Sequence, residues 1–191
     1  LILGLFEPWG GGIFINGQNP SEFSLSELVG NIGVVLQDHF LWNASIEDNI
    51  RYGNDKVNRD EIIASSNIAG VNDFMRELNL GYDFLIGENA SKVSEGQKQK
   101  IAIARALVKK PRILLLDEAF SCMDRISEER IVDNIIKSGS IKILIFISHR
   151  IATIRKSDSI YFLSDSKLEI GSFDHLFSNN KLFSNLFSDD K

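Results

Sequence analysis

A chain of 191 residues with 43% hydrophobic content can bury one good core and carry an attached lobe. Its net charge of -5 gives no electrostatic reason to expect a nucleic-acid partner, because such domains carry basic faces. The lone Cys122 excludes an internal disulfide. No apolar run approaches the roughly 18 residues that a membrane helix needs.

Taken in order, Leu1–Phe6 reads as the tail of a helix stopped by Pro8 and the glycines 10–12. A helix already under way at Leu1 leads us to expect a longer protein continuing upstream. Ile13–Ile15 followed by Asn16-Gly17 predicts a strand entering a tight turn. The triple glycine lacks the Lys-Ser/Thr of a phosphate loop, so the turn reading is preferred. Leu25–Val29 predicts a short helix, and Ile32–Leu36 a buried strand running into Gln37-Asp38. Between residues 41 and 107, Asn43–Ile50, Arg59–Ser65 and Val71–Leu78 have helical spacing with short polar joints. We therefore expect one domain over 1–191, with a core lobe from 1–40 and 108–191 and an inserted helical subdomain over 41–107.

After Pro111 the alternation returns, with a strand at Ile113–Leu116, a helix over 127–137 and a strand at Lys142–Ile147. A helical turn and a strand at Ile160–Leu163 follow. Continuous apolar strands alternating with helices predict an α/β fold with a largely parallel sheet covered on both faces. Phenylalanines spaced three to four apart between Phe173 and Phe187 predict a docking helix, and the polar end beyond it is expected to fray.

The chemistry-bearing residues cluster in 94–124, SEGQKQKIAIARALVKKPRILLLDEAFSCMD. Asp117 and Glu118 end a buried strand, the place where open parallel sheets bind ligands. One acid there can serve Mg²⁺ while the other orients a water; equally, such an acid can simply cap the next turn. Ser94 followed three residues later by Gln97 is a capping box, so a helix should start here with its amides free for an anion. Gly96 leaves no side chain over that backbone. The bland alternative is an ordinary capped helix, with Lys98, Lys100, Arg105 and Lys109 as its solvated face. His149 and Gln37 likewise follow strands, and either can be a turn residue.

Read together and in order, these segments resemble the nucleotide-binding domain of the ATP-binding-cassette (ABC) family. Val-Leu-Gln-Asp (35–38) resembles its Q-loop, and Val-Ser-Glu-Gly-Gln (93–97) its signature. Ile-Leu-Leu-Leu-Asp-Glu (113–118) resembles Walker B, Ser-Cys-Met-Asp (121–124) the D-loop, and Ser-His-Arg (148–150) the switch His. DHFLWNASIEDNIRYG (38–53), Ile86-Gly87-Glu88 and KLEIGSFDHLF (167–177) are similar to exporter-type members. The resemblance implies the P-loop NTPase fold, with a helical signature subdomain and an antiparallel β edge. It implies ATP and Mg²⁺ as ligands, a second nucleotide-binding domain as partner, and a transmembrane domain fused upstream. It further implies a place on the cytoplasmic face of a membrane, the inner membrane if bacterial.

Carried over to this chain, the resemblance gives Asp117 to the Mg²⁺ and makes Glu118 the base for the attacking water. Gln37 senses the γ-phosphate and metal, and His149 hydrogen-bonds the γ-phosphate. Ser94, Gly96 and Gln97 serve the partner's ATP, and Asp124 crosses the dimer interface. Two departures stand out. No G-x-x-x-x-G-K-[ST] occurs in the chain, so the resemblance places the phosphate loop before Leu1 and leaves the sheet incomplete at that end. The 191 residues alone are therefore expected neither to bind nor to hydrolyse ATP. Glu95 stands where the signature has Gly; an acid in a helix's first turn gains roughly 0.3–1 kcal/mol from the dipole, and we expect it to point to water. A soluble ABC-superfamily ATPase acting on DNA or ribosomes, and an inert remnant, are the other two expectations.

Overall fold

The computed structural model describes residues 1–188; the expected fraying beyond Ser188 lies outside them. Two compact units divide the chain, Leu1–Ile147 and the remainder from Ser148.

In the first unit, residues 1–19 form turns and bends, and the helix expected at Leu1–Phe6 is absent. Gly4 takes a left-handed φ of 68° there, which breaks any helical run. The strand expected at Ile13–Ile15 is reduced to one bridge, Ile15 to Gln18. Asn16 and Gly17 both have positive φ, as a two-residue hairpin turn of the primed type requires. Ser24 then caps α1 (Leu25–Asn31), with Glu27 closing the capping box, and β1 (Ile32–Val35) follows at once.

The helical stretch contains α2 (Ile46–Arg51), α3 (Arg59–Ile68), α4 (Val71–Glu77) and α5 (Glu95–Val108). α2 starts later than the spacing predicts because Ser45 caps it, accepting from the Asp48 amide at 3.0 Å. Ile46, Ile50, Ile62, Val71 and Ile86 are fully buried and join Ile101 and Ile103 of α5 in one core. That core continues onto β1 and β2 (Ile113–Asp117), so helices and sheet share a single apolar interior.

β1, β2 and β3 (Ile143–Ile147) form a parallel sheet in that order, with α6 (Arg125–Ser138) crossing from β2 to β3. Gly33 lets β1 approach its cover closely. A Cβ there would come within 2.8 Å of Pro111 Cγ and 3.2 Å of the Ala106 carbonyl. Cover on both faces holds for β1 but not across the sheet. Leu114, Leu116, Leu144 and Phe146 pack into the core, whereas Ile143, Ile145 and Ile147 on the other row of β3 are exposed. The apolar run of β3 matches a strand buried twice, yet no element of the first unit buries that second row.

The second unit holds α7 (Ile151–Ile154), the antiparallel pair β4 (Ile160–Ser164) and β5 (Lys167–Gly171), α8 (Phe173–Asn179) and α9 (Lys181–Leu186). The single docking helix expected over 173–187 is two short ones. Asn180 leaves the helical region at φ −115°, ψ 112°, and its side chain caps α9 by accepting from the Phe183 amide at 2.8 Å. The phenylalanine pattern survives the break. Phe173, Phe183 and Phe187 meet with ring centroids 4.9 to 6.0 Å apart and form the unit's own core.

Candidate functional site

β1 and β2 run side by side, Val35 paired with Leu116 and Val34 with Leu115. Gln37 and Glu118 each lie two residues beyond the paired positions Val35 and Leu116. Both therefore leave the sheet at the same carboxyl edge. Asp117, the last residue of β2, pairs with Ile147 at the end of β3. A parallel sheet brings its strand ends together by construction, and this edge collects Gln37, Asp117 and Glu118.

Glu118 occupies a special backbone position. Its φ is 46°, in the left-handed region that side-chain-bearing residues enter rarely. Its amide donates to the Ile147 carbonyl at 3.1 Å, and its own carbonyl accepts from the Ser121 amide at 3.1 Å. The strand is thus held to β3 up to this residue and turned out of the sheet by it. Backbone strain of this kind costs about 1–3 kcal/mol and gathers at functional sites.

The helix that starts at Ser94 has the capping box expected of it. Ser94 Oγ accepts from the Gln97 amide at 3.3 Å, and Gln97 Oε1 accepts from the Ser94 amide at 2.9 Å. A serine hydroxyl that accepts here can still donate its proton outward. Ser94 is exposed and Gln97 half-buried. Glu95 points to water with its side chain 61% exposed, and Lys98 Nζ meets it at 2.7 Å. That hydrogen bond holds the carboxyl below the usual carboxylate range, so the acid at the Gly position stays ionised and paired with a lysine of its own helix.

Gly96 has a reason to be glycine that the sequence did not reveal. A Cβ there would lie 2.9 Å from the Cys122 carbonyl oxygen, so the start of α5 touches the loop after Glu118. Gln99, 1% exposed, reinforces the contact. Its Nε2 donates to Ser121 Oγ at 2.9 Å, and its Oε1 accepts from the Cys122 amide at 3.1 Å. Asp124 ends this loop as the cap of α6, accepting from the Ser127 amide at 2.9 Å. Hydrogen bonds from Ser127 hold its carboxyl low.

Arg105 is not part of a solvated face. It donates to the Asn49 carbonyl at 2.7 Å, to Asn49 Oδ1 at 2.9 Å and to the Phe40 carbonyl at 2.7 Å, with its guanidinium over Tyr52. It thereby fastens α5 to the segment that follows Gln37. His39, in that segment, has its Nδ1 3.2 Å from the Gln37 carbonyl, and burial lowers its pKa.

His149 belongs to the second unit, exposed and just ahead of α7, where Ser148 Oγ accepts from the Arg150 amide at 3.1 Å. No group of three His, Cys, Asp or Glu side chains converges among the described residues. Mg²⁺ in nucleotide sites takes one or two carboxylates, with phosphate oxygens and water completing its shell. The adjacent half-buried acids Asp117 and Glu118 at the strand end suit that donor set. No described helix is long and apolar enough to cross a membrane.

A parallel sheet with an amide, two acids and a capped helix start is the architecture of a nucleotide-binding α/β domain. The family model described as "ABC transporter" matches residues 1–121, and the chain belongs to that family. It is 39% identical over 98% of its length to an ATM1-type heavy metal exporter of Novosphingobium aromaticivorans, covering 31% of that protein. It is 38% identical over 94% of its length to the mitochondrial iron-sulfur clusters transporter ABCB7 of Homo sapiens, covering 24% of it. A solved bacterial Atm1-family ABC exporter with ATP bound superposes with a TM-score of 0.90 at 37% identity, over 99% of this chain and 33% of that one. The chain thus spans about a third or less of these relatives. Their names are those of transporters and exporters.

Proposed function

We propose that this chain is the ATP-hydrolysing motor of a membrane exporter. It works as one half of a nucleotide sandwich with a second nucleotide-binding domain, and is joined to a transmembrane part at the cytoplasmic face of the membrane. The observation that carries this reading is the meeting of Gln37, Asp117 and Glu118 at one sheet edge, with the α5 start fastened to the loop that follows them.

Each residue then has a task. Asp117 holds Mg²⁺, directly or through a water, and Glu118 accepts hydrogen-bonding from the attacking water and polarises it. When bound, the metal neutralises phosphate charge. Gln37 reads the γ-phosphate from the end of β1, and Arg105 ties the segment after it to α5. His149 donates to the γ-phosphate. Ser94, the Gly96 amide and Gln97 face the partner's nucleotide across the interface, with Asp124 beside them. Glu95, held by Lys98, stays clear of that anion. Phosphoryl transfer to water needs positioning and charge, not a covalent nucleophile.

No phosphate loop occurs within residues 1–191, so the test uses the full-length protein. Glu118→Gln is expected to lower ATP turnover about 10²–10⁴-fold, the usual contribution of a positioned base, while ATP binding persists. Turnover within threefold of the parent would sink the assignment.

A further inference from the structure

Three contacts join the first turns of α5 to the loop between β2 and α6. Gly96 abuts the Cys122 carbonyl so closely that a Cβ would stand 2.9 Å from its oxygen. Gln99 spends both ends of its amide on the same loop, donating to Ser121 Oγ and accepting from the Cys122 amide. A buried primary amide with both ends paired is costly to leave half-satisfied, so this geometry is strongly preferred over its neighbours. The Cys122 amide it satisfies has no helix or strand partner of its own, because the chain there runs between β2 and α6.

The loop so held starts at Glu118 and ends at Asp124. Its near end is set by β2 and β3 through the Glu118 amide, and its far end by the cap that Asp124 places on α6. Between them, Gln99 ties the middle to α5. On the function proposed above, Glu118 acts on this chain's own nucleotide while Ser94 and Gly96 act on the partner's. The two groups belong to different ATP sites, and the loop at residues 121–122 is where they meet.

We propose that Gln99 is a positioning residue that locks the start of α5 to the loop after Glu118, so that the two half-sites on one chain move as one body. It touches neither nucleotide in this role. Its effect falls on turnover, because the carboxylate and the α5 amides must be in register at the same moment, and not on the initial capture of ATP.

The inference rests on the proposed ATPase function, and the experiment separates the two. In the full-length protein, ATP turnover and KM are measured for the parent, Glu118→Gln, Gln99→Leu, Ser121→Ala and the Gln99→Leu/Ser121→Ala pair, with the melting temperature of each. Gln99→Leu is expected to lower kcat at least tenfold with KM for ATP within twofold. Ser121→Ala, at an exposed residue, is expected to lower kcat less and in the same direction. The pair is expected to be no worse than Gln99→Leu alone, since the two share one bond. A kcat within twofold for Gln99→Leu overturns the proposal. So does a loss that multiplies fully in the pair, or a Gln99→Leu loss that matches its fraction of unfolded protein with no effect of Ser121→Ala. A parent whose turnover does not depend on Glu118 overturns the proposed function instead.

Discussion

Asp124 caps a helix with its carboxylate. Its Oδ1 accepts from the Ser127 amide and caps α6, and hydrogen bonds from Ser127 hold its pKa below the usual range. A lowered folded pKa means the unfolded chain takes up its proton first. The cap's stabilisation is therefore complete above the ordinary Asp value of about 3.9 and is lost as pH falls through the lower folded value. Near neutrality it is fully present. Asp124→Ala is expected to cost about 1 kcal/mol there and Asp124→Asn only a fraction of that, read from urea midpoints at pH 7. As pH falls through that lowered value, the gap between Asp124→Asn and the parent should close. At this scale some of the site was legible in the sequence and some was not. The Ser94–Gln97 box is a local pattern, readable because both its hydrogen bonds lie within four residues. Gln99 and Arg105 gave no local sign, since their partners lie 22 and 56 residues away. Partners that far along the chain are invisible to spacing within a helix.

α5 acts as a beam between two loops. Near its start Gln99 holds residues 121–122, and two turns on Arg105 holds the segment after Gln37 through the Phe40 carbonyl and both oxygens of Asn49. Asn49, fully buried, passes the restraint on by bonding both the amide and the carbonyl of Trp42. One helix therefore connects the residues that follow Gln37 with the loop that follows Glu118. Arg105→Met keeps the apolar stem and removes three donors, two of them from the oxygens of buried Asn49. The expected cost is about 2–3 kcal/mol, in the range for hydrogen bonds to a charged group, measured as a lower urea midpoint at unchanged m. Arg105→Lys is expected to recover less than half of it, because one ammonium cannot span a fork of three acceptors. Helices with capping boxes were legible from composition and spacing, as α5 shows. Elements whose boundaries depend on a cap within an apolar run, such as α8 and α9 at Asn180, were not.

For the whole molecule, the sheet is where residue pattern and structure part company. A run such as Ile143–Ile147, apolar at every position, is what a strand buried on both faces looks like. β3 has cover on one row only, and Ile143, Ile145 and Ile147 stand 51%, 39% and 58% exposed. The same strand ends the sheet, since it pairs with β2 alone among the described residues. An exposed apolar row beside unpaired backbone amides and carbonyls is a template for another strand. The 191-residue chain is therefore expected to self-associate through this edge, giving a mass above 21.4 kDa in sedimentation or light scattering. Ile145→Lys puts a charge in the middle of the row at little cost to the fold, since exposed substitutions usually change stability by about 0.5 kcal/mol or less. That variant should shift toward monomer with its circular dichroism unchanged. A monomeric parent, or a lysine variant that associates as strongly, would place the cause elsewhere.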